Sequence, residues 1–456
     1  MKLEVVILAA GQGTRMKSRL PKVLHTVGGI PLLEHVIRTA SVLKPGVIHV
    51  VVGHGSEQVQ QALSPYPINW VVQEEQLGTG HAVMQALPDI ADDSVILVLY
   101  GDVPLTRPAT LQHLVQQAQQ NPSLLTATVH NPQGYGRILR GKHGELTGVV
   151  EERDATETQR EIREINTGVL AGPAGDFKTL LPRVANDNQQ GEFYLPDIIS
   201  LAVGQGKRVA SCTATSEIEI LGVNDRVQLN KVEREYQRRC AEELMRQGVS
   251  VADATRLDIR GELSCGEEVF IDVNVVFEGI VSLGSGVSIG ANCVLRDVSV
   301  AEGTVIHPMS HLQETRIGRN CSVGPYARLR PGTVLADGAR IGNFVETKNA
   351  LIGNGSKVNH LSYIGDCEMG ADVNIGAGTI TCNYDGVNKH RTEIGNGVFV
   401  GSNSTLVAPL LIEEQGFVAA GSTVTTTVGR GDLAVSRAKQ RNIQGWKRPG
   451  KRNSKD

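Results

Sequence analysis

Ile271-Asp-Val-Asn-Val-Val, Phe277-Glu-Gly-Ile-Val-Ser, Leu283-Gly-Ser-Gly-Val-Ser, Ile289-Gly-Ala-Asn-Cys-Val and Leu295-Arg-Asp-Val-Ser-Val are consecutive hexads, each opening on a large apolar residue. A helix repeats every 3.6 residues and a strand every two, so a helix cannot produce this period. A parallel β-helix can: each short face contributes one inward aliphatic residue, and each corner takes a small or turn-forming one. The period resumes at Ile317, Val323, Leu329, Leu335 and Ile341, then at Ile352, Val358 and Ile364. Met369 and Ile375 follow one residue out of phase, and a last run passes through Ile394, Val400, Leu406, Ile412, Val418 and Val424. Glycine often follows the leader directly, as at Gly284, Gly290, Gly342 and Gly401. The longest interruption, Thr381–Glu393, is polar and reads either as an insertion on a binding face or as a tolerated loop.

Upstream the pattern changes. Leu3–Leu8, Val47–Val52, Val95–Leu99 and Leu124–Val129 read as strands, and Leu32–Leu43, Ala109–Gln119 and Pro196–Val203 as helices. The alternation predicts a mainly parallel, layered sheet whose ligands lie beyond the carboxyl ends of its strands. Between the two patterns a charged, proline-free stretch from Val227 to Met245 carries Leu229, Val232, Tyr236, Cys240 and Leu244 at helical spacing. The expected division is therefore a domain over 1–226, a helical linker over 227–247 and a repeat domain over 248–456.

A chain of 456 residues is too long for one small core. Forty-five basic against 48 acidic residues leave a net charge of −3, so no global basic field invites nucleic acid. The seven cysteines form no Cys-x-x-Cys pair and stand near no histidine at zinc-ligand spacing, which predicts reduced thiols. No run is long enough for a membrane span, and the first ten residues read as a strand without signal-peptide anatomy. The expectation is a soluble, cytoplasmic protein with no membrane or nucleic-acid partner.

The first strand runs into Leu8-Ala-Ala-Gly-Gln-Gly-Thr-Arg-Met16, followed by Leu20-Pro-Lys-Val-Leu24. A glycine-rich turn after a strand lets backbone N–H groups close on phosphate oxygens. The loop is neither a dinucleotide fingerprint nor a Walker A sequence. Its distinctive part is the pair Arg15 and Lys22, two cations suited to the charge that builds on a pyrophosphate leaving group. Val95-Ile-Leu-Val-Leu-Tyr-Gly-Asp102 ends a strand in a carboxylate where a hard cation would sit, although a turn aspartate before Pro104 explains it as well. Gln73, Gly78 and Thr79 also follow a strand and suit the edge of a pyrimidine, although a plain loop explains them almost as well. In the repeat domain His360 stands at a corner and has the neutral-pH chemistry of a general base, although a lone histidine there is more often a plain surface residue; Arg330, Lys348, Tyr363 and Asn374 favour the first reading, since two cations suit a sugar 1-phosphate.

Together these segments resemble a bacterial bifunctional family, N-acetylglucosamine-1-phosphate uridylyltransferase joined to glucosamine-1-phosphate N-acetyltransferase. The more selective pieces are Gly134-Tyr-Gly-Arg-Ile138, Glu164-Ile-Asn-Thr-Gly168, Gly222-Val-Asn224, Arg328-Leu-Arg-Pro-Gly332, Asn343-Phe-Val-Glu-Thr-Lys348, His360-Leu-Ser-Tyr-Ile-Gly-Asp366 and Asn374-Ile-Gly-Ala-Gly-Thr-Ile-Thr-Cys-Asn-Tyr-Asp-Gly386. The resemblance runs nearly end to end, with Gln12 in a variable slot and a loose match after Trp446.

The resemblance implies an α/β Rossmann-like nucleotidyltransferase domain, a helical linker and a left-handed parallel β-helix of hexapeptide repeats, assembled as a homotrimer. It implies that Leu8, Ala9, Ala10, Gly11, Lys22, Gln73, Gly78, Thr79, Tyr100, Gly101, Asp102, Gly136, Glu151, Asn166 and Asn224 hold the nucleotide sugar. Asp102 and Asn224 would hold Mg²⁺, with Arg15 as the catalytic cation. Arg330, Lys348, Tyr363 and Asn374 would bind glucosamine 1-phosphate, with Glu346 orienting the amine. Ala377, Asn383, Tyr384, Ser402, Ala420 and Arg437 would contact acetyl-CoA. The other substrates would be UTP and N-acetylglucosamine 1-phosphate. The basic tail, Lys447, Arg448, Lys451, Arg452 and Lys455, either approaches CoA phosphates or is simply solvated. The competing reading is a monofunctional nucleotidyltransferase whose β-helix serves structure or allostery; a second is a non-enzymatic scaffold.

Overall fold

The computed structural model describes residues 2–11, 13–53 and 56–449. Gln12, Lys451, Arg452 and Lys455 lie outside them. The chain divides into two compact units, Met1–Cys240 and Ala241–Asp456.

In the first unit, strands β1 (Lys2–Leu8), β2 (Val47–Gly53), β3 (Asn69–Gln73), β4 (Ser94–Tyr100), β5 (Ser123–Thr128), β6 (Arg137–Arg140), β7 (Leu146–Val150), β8 (Glu164–Pro173) and β9 (Ala210–Thr213) build one sheet. Its order is β9-β5-β8-β4-β1-β2-β3, with β6 pairing β8 and β7. β1, β2, β3 and β4 run parallel, as does the pair β5 and β9. β8 runs antiparallel between β4 and β5, and β6–β7 is a hairpin on it. The order reverses at β1: the chain moves outward through β2 and β3, then returns to place β4 on the other side. Such a switch point opens a crevice at the carboxyl ends of the strands.

Both sheet faces are covered. Val5, Ile7, Val50, Val52, Leu97 and Leu99 face helix α1 (Leu32–Val42) and Leu111 and Leu114 of a later helix. Val6, Leu8, Val51, Ile96 and Val98 pack with Val83 and Ala86 of helix α2 (Thr79–Ala86) and with Phe177, Ile198 and Ile199. Strands covered on both sides are apolar at successive positions, which is why they read as continuous runs.

The charged stretch forms one helix, α3 (Arg226–Arg246), and the division between the units falls inside it. Its first half is not a free connector. Val232 is buried against Met16, Val27, Leu32, Leu105 and Val223, with Leu229 and Tyr236 beside it. Polar ties reinforce this: Gly28 N donates to Glu233 Oε2 (2.8 Å), and Arg239 donates to Leu105 O (2.8 Å).

The second unit stacks its strands in 11- and 13-stranded parallel sheets. Ile271, Ile289, Ile306, Val323, Ile341, Val358, Ile375, Val400 and Val418 lie in register on one face, mostly 17 or 18 residues apart. Each coil is therefore three hexads. Every hexad leader found in the sequence is buried. Burial of each such aliphatic side chain stabilises by roughly 1.5–3 kcal/mol.

The gap left by the sequence between Leu295 and Ile317 is filled by Val300, Ile306 and Leu312, all buried. The steps Leu295 to Val300 and Leu312 to Ile317 are five residues, and a left-handed residue, Asp297 or Glu314, turns each corner. Asp366 does the same between Ile364 and Met369, which accounts for the change of phase there. Thr347 occupies an inward position that the apolar pattern could not reveal; its hydroxyl is paired with Thr333 at 3.0 Å. All seven cysteines are free, and burial lifts the Cys265 and Cys293 thiols to about 11.

Candidate functional site

At the switch point a cavity of about 270 Å³ opens. It is lined by Leu8, Ala9, Ala10 and Gly11 from the end of β1, Gln73 from β3, Gly78 and Thr79 from the start of α2, Tyr100 at the end of β4, Asp102 just beyond it, and Lys22. Backbone bonds explain the convergence. Leu8 and Tyr100 are register partners, Gly101 N donates to Leu8 O (2.9 Å), and Ala9 N donates to Val51 O (2.8 Å). Gln73 is buried and its amide donates to Gly78 O at 3.3 Å. Gly78 has φ 107°, and a side chain there would begin 2.7 Å from Phe193 O, so the turn needs glycine. Gln76 and Glu192 also line the cavity. Sequence reading missed both, since neither belongs to a motif with distinctive chemistry.

The charged end of the cleft is assembled across the chain. Val223 N donates to Asp102 O at 2.9 Å, which brings Asn224 beside the carboxylate. Lys22 Nζ pairs with Asp102 Oδ2 and donates to Asn224 Oδ1 at 3.2 Å, and Arg15 donates to the same oxygen at 3.0 Å. Two cations and two hard oxygen donors thus meet at one point.

Gly136, Glu151 and Asn166 come together on the hairpin side of the sheet. Asn166 N donates to Gly136 O (2.8 Å), and a Cβ on Gly136 would sit 2.9 Å from Glu151 Oε1. Asn166 begins a register break in β8, and its side chain accepts from Gly168 N at 2.9 Å. Burial, then Asp197 and Asp154, raise the Glu151 carboxyl above the usual range, against Arg137 and a hydrogen bond from Asn166. Burial also raises the Tyr100 phenol, with Glu151 and Asp102 adding to it.

In the second unit His360 ends the strand Lys357–His360 on an exposed corner. Its Nδ1 lies 2.9 Å from Asn343 Oδ1. The amide oxygen can only accept, so in the neutral ring Nδ1 is the donor and Nε2 the acceptor. Asn343 opens the stretch Asn343–Lys348, where no local pattern marks it for a role; only the register, Asn343 against His360, shows the pairing.

Glu346 and Tyr363 are register partners on the next face, as are Lys348 and Gly365. Arg330 donates to Glu346 Oε1 at 2.8 Å, so that carboxylate is engaged by the cation. Lys389, from the long loop, approaches Lys348 and pulls its ammonium below the usual lysine range, with Arg330 contributing. Lys389 is a third cation that the sequence reading did not select. Asn374 stands on the other sheet, paired with Lys357 and Phe399.

Ala377, Ser402 and Ala420 continue the His360 corner rung by rung. Gly378 N donates to His360 O (3.3 Å), Asn403 N to Ala377 O (2.8 Å) and Gly421 N to Ser402 O (2.8 Å). Arg437 donates to Ala420 O at 2.7 Å. Asn383 donates to Asp366, and Tyr384 is exposed on the loop, where it bridges to Lys389. Asp385 accepts from Val387 N (2.8 Å) and Asn388 N (2.6 Å) and pairs with His390 (2.8 Å), so the loop is internally braced.

A family model described as "MobA-like NTP transferase domain" matches residues 5–166, which include most of the cleft. Another, described as "GMPPB C-terminal domain", matches residues 259–345. Fold and match together define a nucleotidyltransferase domain followed by a β-helix. "Bifunctional protein GlmU" of Alkalilimnicola ehrlichii is 58% identical over 450 residues, spanning 99% of this chain and 97% of that one. The proteins of the same name from Marinobacter nauticus (55% over 450 residues, 98% and 99%) and Pseudomonas entomophila (53% over 452 residues, 99% and 99%) agree. The chain belongs to the bifunctional GlmU family. It is an enzyme with two transferase activities, acetyl transfer and uridylyl transfer, acting on small molecules of nucleotide-sugar synthesis.

Proposed function

We propose that residues 248–456 acetylate glucosamine 1-phosphate from acetyl-CoA, and that residues 1–226, completed by the linker helix, transfer uridylyl from UTP to the product and release diphosphate. The observation that carries the uridylyl half is the meeting of Arg15 and Lys22 on Asn224 Oδ1 beside Asp102. A phosphate oxygen of N-acetylglucosamine 1-phosphate attacks the α-phosphorus of UTP as the bond to diphosphate breaks. Arg15 and Lys22 take up the negative charge that leaves. Leu8–Gly11, Gln73, Gly78 and Thr79 hold the nucleotide, and Gly136, Glu151 and Asn166 hold the sugar.

A divalent cation fits this donor set: Asp102 and Asn224 offer a carboxylate and an amide oxygen, already gathered around an ammonium, as Mg²⁺ prefers. When bound, Mg²⁺ supplies further neutralisation of phosphate charge.

For acetyl transfer, His360 Nε2 takes a proton from the amine as it attacks the thioester carbonyl and the thiolate of CoA leaves. Arg330, Lys348 and Lys389 grip the phosphate, with Tyr363 and Asn374 on the sugar, and Glu346 acts by fixing Arg330. From His360 to Ala420 is three rungs, about 14 Å at the usual strand spacing, a length that suits an extended pantetheine arm. Asn383, Tyr384 and Arg437 complete the CoA contacts.

A homotrimer is part of the proposal. Met309, Tyr326, Phe344 and Leu361 stand exposed along the His360 corner with left-handed backbones, and the rings of Tyr326 and Phe344 stack at 5.2 Å. Such an apolar stripe supports coverage by other copies. No helix among the described residues is long and apolar enough to cross a membrane, and both reactions are assigned to the cytoplasm. Supplying glucosamine 1-phosphate, acetyl-CoA, UTP and Mg²⁺ together should yield UDP-N-acetylglucosamine. Formation of a sugar nucleotide without free CoA thiol would favour the monofunctional alternative.

A further inference from the structure

Arg137 is the bulkiest wholly buried side chain of the described residues, 1% exposed. A guanidinium is costly to bury and persists only when its donors are satisfied. Here its Nε and one terminal nitrogen donate to Arg160 O at 3.3 and 3.2 Å, the other terminal nitrogen donates to Tyr135 O, and Glu152 pairs with it at 2.7 Å. Those bonds tie three separate segments to one side chain.

The register gives the tie a target. Arg137 pairs with Val150 on one side and Ile165 on the other. Gly136 precedes Arg137, Glu151 follows Val150, and Asn166 follows Ile165. Each residue assigned to the sugar is therefore the chain neighbour of Arg137 or of a residue paired with it. Arg137 also opposes the raising effect of burial and of the carboxylates of Asp197 and Asp154 on Glu151. The Glu151 carboxylate adds to the burial that raises the Tyr194 and Tyr100 phenols.

We infer that Arg137 is a positioning residue for uridylyl transfer: without touching substrate, it holds Gly136, Glu151 and Asn166 in one constellation, with the Glu151 carboxylate placed to accept from a sugar hydroxyl. The inference rests on the assignment of those three residues to N-acetylglucosamine 1-phosphate.

The test uses the full chain and Arg137→Met, Arg137→Lys, Glu152→Gln and Glu151→Gln, with the melting temperature as the check of folding. Arg137→Met should raise KM for N-acetylglucosamine 1-phosphate about tenfold or more, the effect of one lost charge-assisted hydrogen bond, while KM for UTP changes less than about twofold. The acid limb of kcat/KM for the sugar phosphate should move to higher pH. Arg137→Lys keeps the charge but not the fork, so KM should rise and the acid limb should stay. Glu152→Gln removes the countercharge, so the acid limb should move to lower pH; this variant carries the test if Arg137→Met does not fold.

Equal rises in both KM values, or an acid limb unmoved in both Arg137→Met and Glu152→Gln, would overturn the role of Arg137. If Glu151→Gln leaves KM for the sugar phosphate unchanged, the assignment of the subsite fails and the inference with it. If Glu151→Gln raises that KM and Arg137→Met does not, only the role of Arg137 fails.

Discussion

Replacing Asn343 by Asp would swap a neutral acceptor for an anion 2.9 Å from His360 Nδ1. Two charges about 4 Å apart interact by about 1 kcal/mol in water and about 4 kcal/mol near a protein surface. His360 lies on an exposed corner, so the lower end applies. At about 1.4 kcal/mol per pH unit, the protonated imidazole should gain about one unit. The acid limb of kcat/KM for acetyl transfer should therefore move up by about one pH unit, and uridylyl transfer should not respond. Asn343→Ala deletes the acceptor instead and should slow acetyl transfer about two- to tenfold through the loss of one neutral hydrogen bond, without an upward move of the limb. The rate is read as thiol released from acetyl-CoA across the pH range. An acid limb in Asn343→Asp that coincides with the parent's would refute the coupling of Asn343 to the base.

Lys22→Ala should lower uridylyl transfer about 10²–10³-fold, as expected for a lost transition-state donor, and leave acetyl transfer intact; pyrophosphate release measures it. Because Arg15 and Lys22 share Asn224 Oδ1, adding Arg15→Ala should cost less than the two single losses combined. Phe277→Ala empties a wholly buried position in the repeat and should cost about 3–5 kcal/mol in guanidinium unfolding; a loss under about 1 kcal/mol would contradict the close packing. Burial, then Asp154 and Asp187, lift the Asp197 carboxyl to about 6. The folded state then holds the proton more tightly than the unfolded chain, so stability present at low pH is lost as pH rises through about 6. Asp197→Asn should raise the melting temperature at pH 7.5 by a few degrees, worth about 1–2 kcal/mol after allowing for partial exposure, and bring no gain at pH 4.

The repeat was legible because each inward position is filled by one residue class at a fixed interval. It became illegible where that class or interval failed. Thr347 faces inward as a hydroxyl, and the five-residue corners at Asp297 and Glu314 shifted the phase so that Val300, Ile306 and Leu312 fell out of the count. Parallel β1, β2, β4 and β5 were visible as apolar runs, whereas β9 is four half-exposed residues, and antiparallel β8 and the β6–β7 hairpin contain too much Gly, Arg and Thr to stand out. At the cleft, Arg15, Lys22 and Asp102 announced themselves by charge beside turns. The partner of His360 and the proximity of Lys389 to Lys348 depend on which rung abuts which, information that no local pattern holds.

The seating of α3 bears on any attempt to dissect the enzyme. A fragment ending at residue 226 would keep Asn224 but strip Leu229, Val232 and Tyr236 from Met16, Val27 and Leu32, laying bare an oily trough beneath the loop that bears Arg15 and Lys22. An excised head fit for inhibitor screening should be cut no earlier than the end of that rod, at Arg246.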